Sequence, residues 1–268
     1  MTKVVITDEA EVKASVVQYS GPEHRRMAHE VMAAALEKAG VAFDAVSYVV
    51  ATGYGRMNVP FADKQMTELS CHARGVANAF PNVRLAIDVG GQDAKALSIK
   101  EGKLVDFVMN DKCAAGTGRF LEVIARVLGL KIEDLGDISS RAQTAVSISS
   151  TCTVFAEQEV ATRLSEGSSV ESIIAGLHES IATRVVRMAK KLKVEPDVVF
   201  TGGVAKNSGV VKAIEKQLGI PVLVPVDPLL TGAIGAALLG RDADKQAAAQ
   251  GATIQRSDRR LKETTFFN

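Results

Sequence analysis

The sequence predicts an α/β protein, and three observations carry that prediction. Strand-like and helix-like runs alternate from one end of the chain to the other. The strand candidates are short and β-branched, whereas the helix candidates repeat their apolar residues at the helical period. Aromatic residues make up only 4% of the chain and tryptophan is absent, while Ala, Val and Gly abound, a composition suited to closely packed α/β layers.

The elements follow in order. KVVIT (3–7) and SYVVAT (47–52) read as strands, and between them residues 22–40 show helical periodicity, with Gly40 as a stop. RLAIDVGG (84–91), AKALSI (94–99) and LVDFVM (104–109) follow one another closely enough to form a strand meander. Amphipathic helices are expected over 118–130 and 154–167, and a long helix with a basic last turn over 170–194. A strand at 197–203, a helix at 208–219, a strand at 221–225 and a helix at 231–240 complete the pattern. The polar tail beyond it reads as a C-terminal extension, residues 241–268.

Composition narrows the function. A length of 268 residues allows one large domain or two modest lobes with a sizeable core. The net charge of +1 and the lack of a basic run speak against nucleic acid and against an acidic membrane surface. No apolar stretch approaches the roughly 18 residues that span a bilayer. The opening MTKVVITDEAEV has early acids and no apolar leader core, so a cytoplasmic protein is expected. Three cysteines are too few for a disulfide scaffold.

Three glycine clusters stand where a strand hands over to the next element. In DVGGQDAK (88–95) Gly90 and Gly91 let backbone N–H groups approach a phosphate. Asp88 and Asp93 are placed to hold Mg²⁺ through water or to orient an attacking water, and with Gln92 they form the candidate catalytic set. The competing reading is a tight hairpin with acids facing solvent. VVFTGGVAKN (198–207) joins a buried strand to a helix start through Gly202 and Gly203, a turn that could seat a nucleotide. In TGAIGAALLG (231–240) Gly232 and Gly235 lie at helical spacing, which favours close helix packing over ligand contact, although Gly232 stays a nucleotide candidate. Neither the Walker pattern nor G-x-G-x-x-G occurs, which excludes ordinary Walker-type and dinucleotide enzymes.

Cys113 in NDKCAAGTGRF and Cys152 in ISSTCTVFAEQEV each precede a helix. A helix N-terminus offers unpaired N–H donors and partial positive charge, which favour an anionic ligand. Two thiolates are half of what an iron–sulfur cluster takes. A two-fold dimer would bring four together, and two buried structural thiols are the alternative. Cys71, beside His72, reads as a small buried residue of a helix.

These motifs, together with TGYGR (52–56), FADKQMTELSCHARG (61–75) and GAIGAAL (232–238), occur in an order that closely resembles the ATP-dependent activators of 2-hydroxyacyl-CoA dehydratases and the related ATP-binding subunits of benzoyl-CoA reductase. The resemblance covers roughly residues 2–240. It implies an actin/hexokinase/Hsp70-like ATPase fold, one domain (1–240) of two RNase H-like lobes. It implies a dimer of like subunits, the same or different, with one 4Fe–4S cluster bridged between two chains by Cys113 and Cys152. It makes Asp88 to Lys95 the second phosphate loop and places Gly202, Gly203, Lys206 and Asn207 on the adenosine side, with ATP and Mg²⁺ as ligands. Members pass one low-potential electron, received from ferredoxin or flavodoxin, to a partner that reduces a CoA thioester.

The opening MTKVVITD resembles the tail of the family's first strand and its D-x-G-S-T-x-x-K phosphate loop, so that strand and loop are expected to be missing from this chain through a late start. Two other readings stand beside the main one. A kinase of the same fold would leave both cysteines idle. A non-hydrolysing partner subunit would hold a cluster without the first loop. Within the family, the extension past Gly240 and a heteromeric assembly lean towards a benzoyl-CoA reductase subunit rather than a homodimeric dehydratase activator.

Overall fold

In the computed structural model, which describes residues 1–149 and 152–251, the chain forms two compact units. One comprises residues 80–229; the other comprises residues 1–79 with the chain from Leu230 onward.

The unit of residues 80–229 is built on a five-stranded sheet. Its strands are β5 (Leu85–Val89), β6 (Ala94–Lys100), β7 (Lys103–Asn110), β8 (Val198–Thr201) and β9 (Val222–Leu223), in the order β7-β6-β5-β8-β9. The expected meander is present, since β5, β6 and β7 pair antiparallel in sequence. β8 then pairs parallel with β5, and β9 with β8. All five residues of β5 are buried, as a strand covered on both faces must be. Helices α3 (Gly118–Val127), α4 (Leu135–Ser140), α5 (Thr153–Ser165), α6 (Val170–Ala189) and α7 (Ser208–Leu218) supply the rest of the core. The long helix stops at Ala189, five residues before its expected end. Its start is fixed by Ser169, whose hydroxyl accepts the Ser172 N–H at 3.2 Å. The short α4 is absent from the sequence pattern because it has too few residues to show a period.

In the other unit β1 (Thr2–Asp8) pairs antiparallel with β2 (Glu11–Gln18), and β3 (Val50–Ala51) pairs parallel with β4 (Lys64–Gln65). Helices α1 (His24–Ala39), α2 (Glu68–Ala79) and α8 (Thr231–Ala249) complete it. β2 has no counterpart among the expected strands because the turn before it carries no turn residue. Glu9 adopts φ 51° there, a conformation usually left to Gly or Asn. The same device recurs in the other unit, where Glu101 takes φ 52° between β6 and β7.

The two hairpins match in further detail. Each has a register shift just before the turn, between Ile6 and Thr7 in one and between Ser98 and Ile99 in the other. Aligned on that shift, Lys3 corresponds to Lys95. The run MTKVVITD is thus the first strand of a hairpin laid out like β6–β7. β6 lies against β5, and its Ala96 and Leu97 are fully buried; among the described residues β1 pairs only with β2, and Val4, Val5 and Ile6 stay half-buried.

α8 runs on to Ala249, nine residues past its expected end, so the boundary drawn at residue 241 falls within a helix. Residues just past that point bind back to their own unit: Asp242 accepts from Arg74 at 3.0 Å, and Lys245 pairs with Glu9 at 2.5 Å. The rest of the expected extension, residues 252–268, lies outside the described residues.

The small residues of α8 are used as expected. A Cβ on Gly235 would fall onto the carbonyl oxygen of Cys71 and lie 2.7 Å from the nitrogen of Gly75, and one on Gly75 would fall onto the carbonyl oxygen of Thr231. The backbones of α2 and α8 therefore touch, and Cys71, fully buried, sits at that crossing. Gly235→Ala is expected to cost about 1–3 kcal/mol by forcing the helices apart. Thermal denaturation checks this; a midpoint within about 1 °C of the wild type would show that the crossing yields freely.

Candidate nucleotide loop and cysteine segments

Asp88, at the carboxyl end of β5, is buried and stands directly opposite Lys95 of β6 in the antiparallel register. The intervening turn is closed by the Gly90 N–H, which donates to the Asp93 carbonyl at 2.9 Å. It carries Gly91 and Gln92 at its exposed tip. The Lys95 ammonium, 2% exposed, donates to Asp93 at 2.8 Å and to Asp88 at 3.3 Å. Both candidate catalytic acids thus converge on one buried cation. The alternative of a hairpin with acids facing solvent is excluded for Asp88, which is buried; Asp93 is partly exposed.

The second glycine turn lies next to the first. β8 runs parallel to β5 with Thr201 in register with Asp88, so both turns leave the same end of the sheet. Gly202 has φ 87°, and a Cβ there would fall onto the Val89 carbonyl oxygen and 2.7 Å from the Asp88 carboxylate. Only glycine satisfies both the backbone and the space. Ligands of open α/β sheets bind at this carboxyl end, where Gly91, Gln92, Gly203 and Lys206 are exposed. Asn207 serves differently: its side-chain oxygen accepts from Gly209 N at 3.0 Å and Val210 N at 3.2 Å, which makes it the N-cap of α7. Gly232 belongs to the other unit, where a Cβ would lie 2.9 Å from His72 Nε2, as helix packing requires.

The cysteines are placed unequally. Cys152 is the N-cap residue of α5, as expected. Cys113 is not at a helix start, because α3 begins five residues later at Gly118. The N–H groups at the start of α3 have other work: Gly118 donates to the Gly90 carbonyl at 2.8 Å and Arg119 to the Gly91 carbonyl at 3.0 Å. Thr117, fully buried, donates its hydroxyl to the Ala114 carbonyl at 2.7 Å, with the Gly91 carbonyl 3.3 Å away as a second acceptor for the same proton. The Cys113 carbonyl itself accepts from the Asn110 side chain at 2.9 Å. The segment that carries Cys113 is thus bonded at both ends, to β7 and to the glycine loop. Thr117 is a loop-binding residue that the sequence pattern does not single out; the small run AAGTG is its only signal. All three cysteines are free, Cys71 buried and the other two half-buried.

Two glycine turns at the end of a parallel strand pair, beside a buried acid and lysine, offer a place for a nucleotide's phosphates, and the fold is that of the actin/hexokinase-like ATPases. The chain belongs to the BadF/BadG/BcrA/BcrD ATPase family, whose model matches residues 1–240. The 2-hydroxyisocaproyl-CoA dehydratase activator of Clostridioides difficile is 53% identical over 211 residues, 78% of this chain and 79% of that protein. The solved structure of component A of (R)-2-hydroxyglutaryl-CoA dehydratase from Acidaminococcus fermentans superposes with a TM-score of 0.88 at 43% identity, covering 91% of this chain and 94% of that one. That of the activator of 2-hydroxyisocaproyl-CoA dehydratase from Clostridium difficile, with bound ADPNP, does so with a TM-score of 0.85 at 46% identity, covering 94% of each. A glucokinase of the ROK family from Streptomyces griseus, at 13% identity and a TM-score of 0.54, shares the fold alone.

These likenesses correct the lean towards benzoyl-CoA reductase. A benzoyl-CoA reductase subunit from Thauera aromatica is 34% identical over 222 residues, 80% of this chain and 78% of that protein, well below the dehydratase activator. No described helix is long and apolar enough to cross a membrane.

Proposed function

We propose that this chain is the ATP-hydrolysing activator of a 2-hydroxyacyl-CoA dehydratase, working as a dimer that holds one 4Fe–4S cluster between its two chains. The observation that carries this reading is the pair of bonds from Gly118 and Arg119 into the carbonyls of Gly90 and Gly91. They tie the loop expected to meet phosphate to the segment that carries Cys113.

The residues fit both ligands. Gly90 to Gln92 and Gly202 to Gly203 present backbone at the open end of the sheet, and exposed Lys206 supplies positive charge beside it. Asp88 and Asp93 share the Lys95 ammonium, so the three groups together carry one net negative charge, suited to a hydrated Mg²⁺. Cys113 and Cys152 are free and half-buried, so each chain offers two thiols and a pair of chains offers the four that a cluster takes. The cluster supplies one-electron transfer at low potential. The chain's own part is to change the hydrogen bonding and exposure around Cys113 when the glycine loop closes on nucleotide. The partners this reading implies are a ferredoxin or flavodoxin as electron donor and the dehydratase as acceptor.

Anaerobic reconstitution tests this. Wild-type protein is expected to bind about four irons per two chains, and Cys113→Ser or Cys152→Ser to lose the cluster while still binding ATP. Absence of iron from the reconstituted wild type would sink the activator reading and leave a kinase-like or cluster-free ATPase.

A further inference from the structure

His178 of α6 is buried, 2% exposed, and takes no part in the chemistry proposed for the nucleotide or the cysteines. Both of its ring nitrogens are occupied: Nε2 lies 3.1 Å from the Asn207 side-chain nitrogen, and Nδ1 lies 3.1 Å from Ser139 Oγ. The direction of every bond in this chain of contacts is fixed. Because the Asn207 oxygen already accepts the Gly209 and Val210 N–H groups, its nitrogen is the end turned to the ring. A side-chain amide nitrogen only donates, so Nε2 accepts. Nδ1 therefore carries the proton and donates to Ser139 Oγ, whose own proton goes to the Gly136 carbonyl at 2.9 Å. The imidazole is neutral and held in one tautomer.

The surroundings are cut to fit the ring. A Cβ on Gly209 would strike the His178 ring and lie 2.5 Å from Ser139 Oγ, and one on Gly136 would lie 2.8 Å from Ser208 Oγ. Three helices, α4, α6 and α7, are thus pinned together at the residue that caps α7. That residue, Asn207, ends the turn Gly203–Lys206, whose exposed face belongs to the proposed nucleotide site.

We propose that His178 is a positioning residue for nucleotide binding, acting through Asn207 to hold the Gly202–Lys206 turn in its binding geometry. This rests on the reading of that turn as the adenosine side of the site. Burial suits the role, since it keeps the ring neutral by holding its pKa down to about 4.

The test uses the full chain without cluster, at neutral pH, with MgATP as the probe. Ring nitrogen NMR of the wild type is expected to show one histidine as a neutral Nδ1–H tautomer that disappears in the His178 variants. His178→Phe fills the space but leaves Asn207 and Ser139 unmatched, and is expected to weaken MgATP binding about tenfold. His178→Gln returns an acceptor near Nε2 and should restore most of that loss. Unchanged affinity in His178→Phe, or a ring found as the other tautomer or as imidazolium, overturns the assignment. Should His178→Phe fail to fold, Ser139→Ala removes the outer link: a loss of affinity supports the proposal, and none overturns it. A wild type that binds no nucleotide overturns the reading of the turn, and the inference with it; binding that is equal in wild type and variant overturns the inference alone.

Discussion

Lys95→Met is expected to destabilise the protein by about 3–5 kcal/mol, a drop of roughly 10 °C in its melting midpoint. The Lys95 side chain is 2% exposed and that of Asp88 4%, so the carboxylate stays inside when its ammonium is replaced by a thioether. Removing one partner of a buried pair leaves the desolvation cost of the other without its Coulombic offset. Asp93, 28% exposed, turns more easily to water and suffers less. The double variant Lys95→Met with Asp88→Asn should recover most of the loss, because no ion is then left buried. A single variant that melts within about 2 °C of the wild type would show that the pair contributes little. ATP hydrolysis should fall in both variants, since both remove the Lys95 ammonium from the loop.

Acid should weaken the fold through His178. Its pKa is lowered from 6.5 to about 4 by burial. Below 6.5 the unfolded chain takes up a proton at this ring while the folded chain does not, so stability falls as pH falls. The contribution is complete above about pH 6.5 and is lost progressively towards pH 4, below which the folded ring is protonated as well. Over about 2.5 pH units, at roughly 1.4 kcal/mol each, the loss approaches 3 kcal/mol. The groups bonded to the ring, Ser139 and Asn207, are uncharged, and Glu179, next on α6, is turned to Lys216 at 2.8 Å. Denaturant unfolding at intervals from pH 7 to 4.5 checks this. The His178→Gln variant should lose markedly less stability than the wild type over that range, and parallel curves would refute the assignment.

Much of this molecule is legible in the sequence because its signals are local. The alternation of element types points to the α/β class, and glycine at strand ends marks both turns of the site. Gly232 and Gly235 are readable as packing glycines, since small residues at helical spacing have few other uses. The hairpin at Glu9 is not readable: a glutamate at positive φ carries no signature, and the tertiary context imposes the conformation. α4 is hidden for a related reason, as six residues are too short for a period to show.

The site divides in the same way. Sequence alone determined which residues are candidates for chemistry: Asp88 and Asp93 in an acid-bearing glycine loop, Lys95 two positions on, Gly202 at a strand-to-helix turn, and two cysteines ahead of helices. Only the tertiary structure decided what these residues do to one another. It put Lys95 between the two acids, turned the first N–H groups of α3 onto the Gly90 and Gly91 carbonyls instead of towards Cys113, and committed the Asn207 side chain to a cap and to His178. The physical reason is that residue type and spacing encode local backbone preference and chemical capacity. A hydrogen bond between residues 28 positions apart, as from Gly118 to Gly90, depends on the sheet and helices that carry both ends together.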